Sequence, residues 1–438
     1  MNGSSGDAVC WYYIFMLNSH FPRHEKAGVR LPLLFLIVLI AIITSWNLSA
    51  GPEALARQGA NEPSDQQTHC LALEASSRDA TAAFEKCIQG MAPGTTLMVA
   101  PKIYHFRRPL TVNRPVKIIT AGLTEADGGC ASAIDDRCAT FMLEPLQDVA
   151  AARGRMPIEI KAANVTFSHI RVVGRGGRNP KYDRPICLSN STRSLGGGIR
   201  VEARNFTIKK SVIRDATCYT AIEVKAGSDR FSAYNNVIGP NGVHSLAKMW
   251  ADGLTVHDNS SAHIAKNLFY DNTDVQLILG GCQRCLIISN RFRHSGSFEG
   301  ASFAELMLQS WPSTSGNFSQ SISRGNDIDC TPQQRCGYGI MIGSNPWYMG
   351  RVSGGEVTKN RVRFAIIGLN VDELSGVMII DGNIVKSSGG IFSSDCGKKK
   401  WPAVNVSPRS WIYLRGSIGY GSAESMETTR CLMNRFDG

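Results

Sequence analysis

Charge is what this 438-residue sequence has least of: Asp, Glu, Lys and Arg together make up 19% of it. With 43% apolar residues and abundant glycine, so lightly charged a chain is expected to be mostly globular, not disordered. Several motifs are missing as well. There is no His-Glu-x-x-His and no nucleotide-binding or nucleic-acid-binding signature, which sets those partners aside. Cys282-Gln-Arg-Cys285 has no second pair at matching spacing and no surrounding strand–helix unit, which argues against a zinc or redox site. The glycine-rich stretches "SLGGGIRVEA" and "VVGRGGRNP" are not expected to open helices, so phosphate cradling is not expected of them.

Long apolar runs are also scarce. The one present, Leu31 to Trp46, follows Arg23, Lys26 and Arg30, a flank that keeps the N-terminus cytoplasmic and sends the rest across a membrane. It is longer than a usual signal core and short for a full span, and "LSAG" at 48–51 offers a cleavage site. Signal peptide and single-pass anchor through residues 31–48 both stay open. Met16 is as sensible a start as Met1, so 1–30 is either a cytoplasmic stretch or a mis-started N-terminus. Twelve of the 13 cysteines follow the apolar run, and Cys130/Cys138, Cys282/Cys285 and Cys330/Cys336 are close in sequence. Local disulfides in an exported protein are the economical reading, whether periplasmic, extracellular or anchored facing outward. Net charge is +11, of which residues before 51 supply one unit, leaving about +10 on the remainder. That excess favours an anionic partner.

Helical periodicity is nearly absent beyond "SSRDATAAFEKCIQG", expected as a helix with Ser77 or Asp79 at its start and Gly90 as its stop. "GTTLMVAPKIYHF" and "LTVNRPVKIITAG" read as two short strands. From about 156 one unit recurs: an alternating strand, a turn, a second apolar stretch, then Asn-x-apolar. The strands are 158–162, 198–203, 221–226, 252–258, 275–281, 304–310, 339–344 and 366–372. The closing residues are Asn236, Asn267, Asn290, Asn326, Asn360 and Asn383, with Ser211 one turn earlier. Ile222, Leu254 and Leu277 each lie 13 residues before an Asn (235, 267 and 290). Strand intervals of 23 residues and more mean a stacked solenoid. Units of strands and turns make it an all-β parallel β-helix with coils about 4.8 Å apart and a ladder of Asn amides at one corner. The chain then divides into 31–50 signal or anchor, 51–73 linker, 74–155 N-terminal cap and first coils, 156–392 repeats, and 393–438 C-terminal cap or tail.

The segment "SSRDATAAFEKCIQGMAPGTTLMVAPKIYHFRRPLTV" resembles the N-terminal cap of the pectate-lyase-like superfamily, and with the coils the likeness covers residues 74–390. The resemblance implies a right-handed parallel β-helix; the fold hosts lyases, hydrolases, epimerases and binders, so it does not fix a reaction. Polygalacturonase-type hydrolases on it carry Asn-Thr-Asp, an Asp pair, Gly-His-Gly and Arg-x-Lys. Asn272-Thr273-Asp274 matches the first element, but no Asp pair follows, Gly337-Tyr338-Gly339 replaces the third and Arg361-Val-Arg363 the last. The tripeptide is therefore expected to be a corner of the repeat.

Reading outward positions across adjacent strands gives a better constellation. Stacking Ile222, Leu254 and Leu277 places Glu223, Thr255 and Ile278 in one exterior column and Lys225, His257 and Gly280 in the next. Asp252 and Asp258 bracket the His257 strand, Asp274 and Gln276 open the following one, and Glu305 and Gln309 lie beyond. His257, Asp258, Asp252 and Lys225 are the catalytic candidates. Asp274, Gln276, Glu305, Gln309, Trp250 and Trp311 are the substrate-binding ones, and Asp252 and Asp274 the candidate Ca²⁺ ligands. This mixture suits an anionic, uronate-containing polysaccharide. Once its carboxylate is neutralised, by a cation or Ca²⁺, the neighbouring carbon loses a proton to a base such as His257. Elimination then makes a lyase and reprotonation from the other face an epimerase. Mannuronan epimerases on this fold carry Asp-Pro-His-Asp, of which Val256-His257-Asp258 is half. A non-catalytic glycan-binding or envelope-structural β-helix is the competing class, and a polygalacturonase-like hydrolase the third. Trp347 and Tyr348 are further sugar-stacking candidates in the loops, and Lys398-Lys399-Lys400 is expected in a solvated, irregular tail.

Overall fold

All eight strands read from the repeat fall in one parallel sheet. The computed structural model describes residues 67–70, 73, 78–131, 137–246, 248–343, 350–394 and 397–418. The apolar run at 31–46, Cys10, Ser77, Trp347 and Tyr348 lie outside the described residues. Each coil gives one strand to each of three parallel sheets, of twelve, ten and ten strands. One ten-stranded sheet contains Ile158–Ile160, Ile199–Val201, Tyr219–Val224, Ala251–Val256, Val275–Leu279, Ser302–Leu308, Cys336–Ile342 and Ile367–Val371. It begins one coil earlier, at Leu110–Val112, and ends at Val404–Val406.

The register follows the apolar pattern. Leu110, Ile158, Ile199, Ile222, Leu254, Leu277, Leu306, Ile340, Leu369 and Val404 pair in sequence, each at most 1% exposed. A one-residue slip would turn this whole column to solvent, losing about 1.5–3 kcal/mol for each side chain, so the register is strongly specified.

The corner ladder forms as expected, with one correction. Asn236, Asn267, Asn290, Asn326, Asn360 and Asn383 are buried, and each Oδ1 accepts the backbone N–H of the ladder residue one coil earlier at 3.0–3.1 Å. The amide nitrogens donate to carbonyls such as Ala233 O at 2.8 Å and Ile264 O at 2.9 Å. The member above Ile222 is Asn236, 14 residues on; Asn235 instead takes the left-handed turn before it, with φ 56°. Lys266, Ser289 and Lys359 occupy the same turn in their coils. One αL residue bends the chain sharply, which leaves the next side chain pointing inward.

Other parts differ from expectation. The two early strands are four: Thr96–Val99, Ile103–Phe106, Leu110–Val112 and Lys117–Thr120. The helix is Thr81–Gly90, its Thr81 N–H bonded to the Asp79 carboxylate at 3.0 Å and its Phe84 packed on Tyr104, Phe106 and Phe141. "VVGRGGRNP" does open a helix, Pro180–Leu188, because Asn179 caps it and Pro180 sits at its first turn. Lys398, Lys399 and Lys400 lie not in an irregular tail but on a strand, Gly397–Trp401, antiparallel to Gly390–Ser394. The three close cysteine pairs, Cys130–Cys138, Cys282–Cys285 and Cys330–Cys336, are disulfides as expected, and Cys70–Cys87 and Cys187–Cys218 are joined as well.

Candidate active site

On the outer face of that sheet lies a cleft of about 500 Å³. Its floor comes from three successive strands: Tyr219, Thr220 and Glu223; Asp252, Thr255 and His257; Val275 and Ile278. Asp274 stands just before the third strand. Trp250, Phe303, Gln309 and Trp311 form the walls. The expected exterior column is present, with Glu223 paired to Thr255 and Thr255 to Ile278.

Glu223 is the hub. Its Oε1 accepts the Tyr219 hydroxyl at 2.7 Å, His257 Nε2 at 3.2 Å and Lys225 Nζ at 3.3 Å, and its Oε2 accepts Arg200 Nε at 2.6 Å. Burial opposes its charge, but these donors outweigh burial and hold the carboxyl far below the usual carboxylate range. Asp252, on the floor of the same cleft, goes the other way: burial raises it to about 6 despite hydrogen bonds from Thr255 Oγ1 at 2.8 Å and Val275 N at 3.1 Å. Two carboxyls in one cleft thus hold opposite protonation states near pH 5. Arg193, in a turn after the Pro180–Leu188 helix, stands against Trp250 outside the lining: its guanidinium is 4.4 Å from the Trp250 ring centre, donates to Lys248 O at 3.1 Å and Trp250 O at 3.3 Å, and lies within the fields of Asp274 and Asp252. The His257 ring meets Trp311 edge-on at 5.3 Å, and Trp311 lies over Gly280, where any Cβ would strike it.

Of the ten candidates, His257, Asp252, Asp274, Gln309, Trp250 and Trp311 line the cleft. The other four do not. Lys225, 40% exposed, is an ion-pair partner of Glu223 and outside the lining. Asp258 accepts from Ser315 N at 2.9 Å and Ser315 Oγ at 2.7 Å, so it ties down the loop that carries Trp311. Gln276 and Glu305 face the interior. Gln276 bonds to the Asn272 amide and Arg293 O, Glu305 to Ser302 and His294, and both are fully buried. The cause is a kink: the pairing register skips the 253, 276, 305 and 339 steps, so two successive side chains turn inward and strict alternation fails. Gly253 and Gly339 fill that position without a side chain; a Cβ there would clash with Asn272 or Val362.

Asn272 and Thr273 are corner residues, buried and bonded to Asn241 and to Ala251 N, leaving only Asp274 of the tripeptide at the cleft. Asp252 and Asp274 do not fit a Ca²⁺ site: both Asp252 oxygens already accept hydrogen bonds, its carboxyl holds its proton up to about pH 6, and Arg193 faces both acids. Among the described residues, the one potential ligand cluster is Glu305 with Cys330 and Cys336, whose sulfurs are already joined to each other. Sequence reasoning missed the central role of Glu223, although its column was identified, and missed Tyr219, Arg193 and Phe303. Arg193 and Phe303 carry no periodic signal, because one sits in an insertion and the other where the strand is kinked.

No family model matches the chain, and no curated protein does. Among solved structures it is similar to the family 28 exopolygalacturonase of Yersinia enterocolitica, at 10% identity and TM-score 0.50 over 81% of this chain and 70% of that one. A polygalacturonase of Erwinia carotovora gives 13% and 0.49 over 72% and 90%. A mannuronan C-5 epimerase module of Azotobacter vinelandii gives 12% and 0.42 over 78% and 84%. Together with the three parallel sheets, the first of these likenesses shows the fold alone: this chain is a right-handed parallel β-helix.

Proposed function

We propose that the chain is an exported enzyme that processes an acidic polysaccharide by taking the C5 proton of a uronate unit, as a lyase or an epimerase. The observation that carries this reading is an acid and a base in one cleft: Asp252, protonated up to about pH 6, and His257, anchored through Nε2 to the Glu223 carboxylate. With Nε2–H donated to Glu223, Nδ1 keeps its lone pair and accepts the proton from C5. In elimination the C5–H electrons form the C4–C5 double bond as the C4–O4 bond breaks, and Asp252 gives its proton to the departing oxygen. Arg193, whose field reaches Asp252 and Asp274 from beside Trp250, adds positive potential toward the uronate carboxylate. The chain's net charge of +11 supports an anionic ligand. Trp250 and Trp311 supply faces for sugar rings. Five disulfides support export. The Yersinia enterocolitica exopolygalacturonase, whose fold the chain shares, acts on a polygalacturonate by its name.

A second reading is favoured by one observation, the presence of Asp274 in the cleft beside Asp252, since paired carboxyls serve glycoside hydrolysis. The test is incubation with a panel of uronans, following C4–C5 unsaturation by ultraviolet absorbance, C5 proton exchange with solvent, and reducing ends. Unsaturation or exchange, lost in His257→Ala with glycan binding retained, is expected. Reducing ends without unsaturation would replace the proposal by hydrolysis, and binding with no product by a non-catalytic binder.

A further inference from the structure

A second cavity, of about 320 Å³, lies away from the cleft, lined by His105, Met142, Leu143, Glu144, Pro145, Arg175, Arg178 and Asn179. Three of these come from the stretch Gly174-Arg-Gly-Gly-Arg-Asn179 that leads into the Pro180–Leu188 helix. Gly176 and Gly177 have φ of 57° and 73°, and a Cβ on Gly174 would sit 2.1 Å from Asp215 O, so the loop needs glycine to take this path. The N-terminus of that helix is already satisfied by the chain itself, with Tyr182 N donating to Asn179 Oδ1 and Asn179 N to Asp183 Oδ2, both at 3.3 Å, so it makes no site.

Arg175 supplies the independent observation. The residue is 6% exposed, its Nε is bonded to the fully buried Asp183 at 2.5 Å, and its plane lies over the Tyr182 ring at 4.9 Å. Yet its Nη2 is buried without an acceptor. A guanidinium only donates, so what completes it must be an acceptor, and a buried charged donor left unpaired is costly. Arg178 adds a second guanidinium, held by Gly174 O at 2.5 Å and near Asp215 at 3.9 Å. Glu144 is the one acidic side chain on this wall, and His105 Nδ1 engages it at 2.7 Å.

We propose that this cavity is an oxyanion-binding site, taking a sulfate or carboxylate group between Arg175 and Arg178. The group comes either from a free inorganic anion or from a charged substituent on an acidic glycan. The site is independent of any reaction at the cleft.

The experiment is calorimetric titration of the full-length protein with sodium sulfate and with sodium glucuronate, against sodium chloride, and crystals soaked in selenate. Saturable sulfate or glucuronate binding is expected, with selenate density beside Arg175. In Arg175→Leu/Asp183→Asn, which withdraws the guanidinium without stranding a buried carboxylate, affinity should fall about tenfold or more. Should that variant fail to fold, the exposed Arg178→Ala should still weaken binding about fivefold. Displacement of sulfate by oligogalacturonate identifies a glycan as the source, and sulfate binding without displacement a free anion. No saturable binding, selenate elsewhere, or unchanged affinity in a folded variant overturns the proposal.

Discussion

At the scale of single residues, Asp252 carries opposed consequences for activity and stability. Unfolded, its carboxyl titrates at the ordinary 3.8; folded, at about 6. The folded chain therefore holds this proton longer, and its contribution to stability, full below 3.8, is lost as pH rises through about 6, a change of about 3 kcal/mol. Asp252→Asn is expected to be more stable than the parent at pH 7 by up to that amount, and indistinguishable at pH 3, in urea unfolding. The same substitution removes the proposed proton donor, so turnover on a uronan substrate should drop by about 10²–10⁴-fold. In the parent, the rate should decline above about pH 6 as Asp252 ionises. Glu223 acts differently. It is already ionised and saturated with donors, so Glu223→Gln keeps much of the geometry but no longer favours the Nε2–H tautomer of His257. That variant should lose rate without gaining stability, because it leaves Arg200 buried with a weaker partner.

At the scale of elements, the corner ladder and the kinked sheet show what periodicity can and cannot reveal. A buried column such as Ile222–Leu254–Leu277 repeats at fixed intervals and was legible, as were the outward Glu223 and Thr255 beside it. Asn235 against Asn236 was misassigned by one step because the two adjacent asparagines differ only in backbone conformation. Asn236→Ala is expected to cost about 3 kcal/mol, since it strands Ser211 N and Ile208 O in the interior, whereas Asn235→Ala, at an exposed left-handed turn, should cost about 1 kcal/mol. The inward turn of Gln276 and Glu305 was illegible because it depends on a backbone kink shared by neighbouring strands. Its result is a buried charge cluster: His294, fully enclosed, has Nε2 2.9 Å from Glu305 and Nδ1 3.2 Å from Asp271. Burial would lower this imidazole, but the two carboxylates raise it from 6.5 to about 10. The stability it supplies is fully present below 6.5 and is lost as pH climbs toward 10, at about 1.4 kcal/mol per pH unit. Unfolding free energies measured between pH 7 and 9 should fall with that slope, and the slope should vanish in His294→Gln.

At the scale of the whole molecule, each coil touches its neighbours and little else, so stability is distributed along the axis and local losses stay local. The outer face of the ten-stranded sheet divides on this principle. Toward the first coils it carries alternating charge, with Arg155 on Glu159 and Arg200 on Glu223. Past the cleft it is apolar: Val275, Phe303, Ala304, Met307, Tyr338, Met341 and Ile367 are covered by Trp401 and partly by Phe392 of the Gly390–Ser394/Gly397–Trp401 hairpin. Val275, Ile278 and Phe303 belong both to this cluster and to the cleft, so the hairpin backs the cleft's far wall. Trp401 is 1% exposed, and Trp401→Ala should cost about 3–5 kcal/mol. Because the hairpin strands pair only with each other among the described residues, that cost should fall on the hairpin and the wall it covers, not on the coils that begin at Thr96. Calorimetry of the variant should then resolve a new low-temperature transition while the main one holds its place, and limited proteolysis should cut first within 390–401. A single transition displaced as a unit would mean that the hairpin and the solenoid fold together, and that the sheet's apolar face is held by the whole column instead of by its lid.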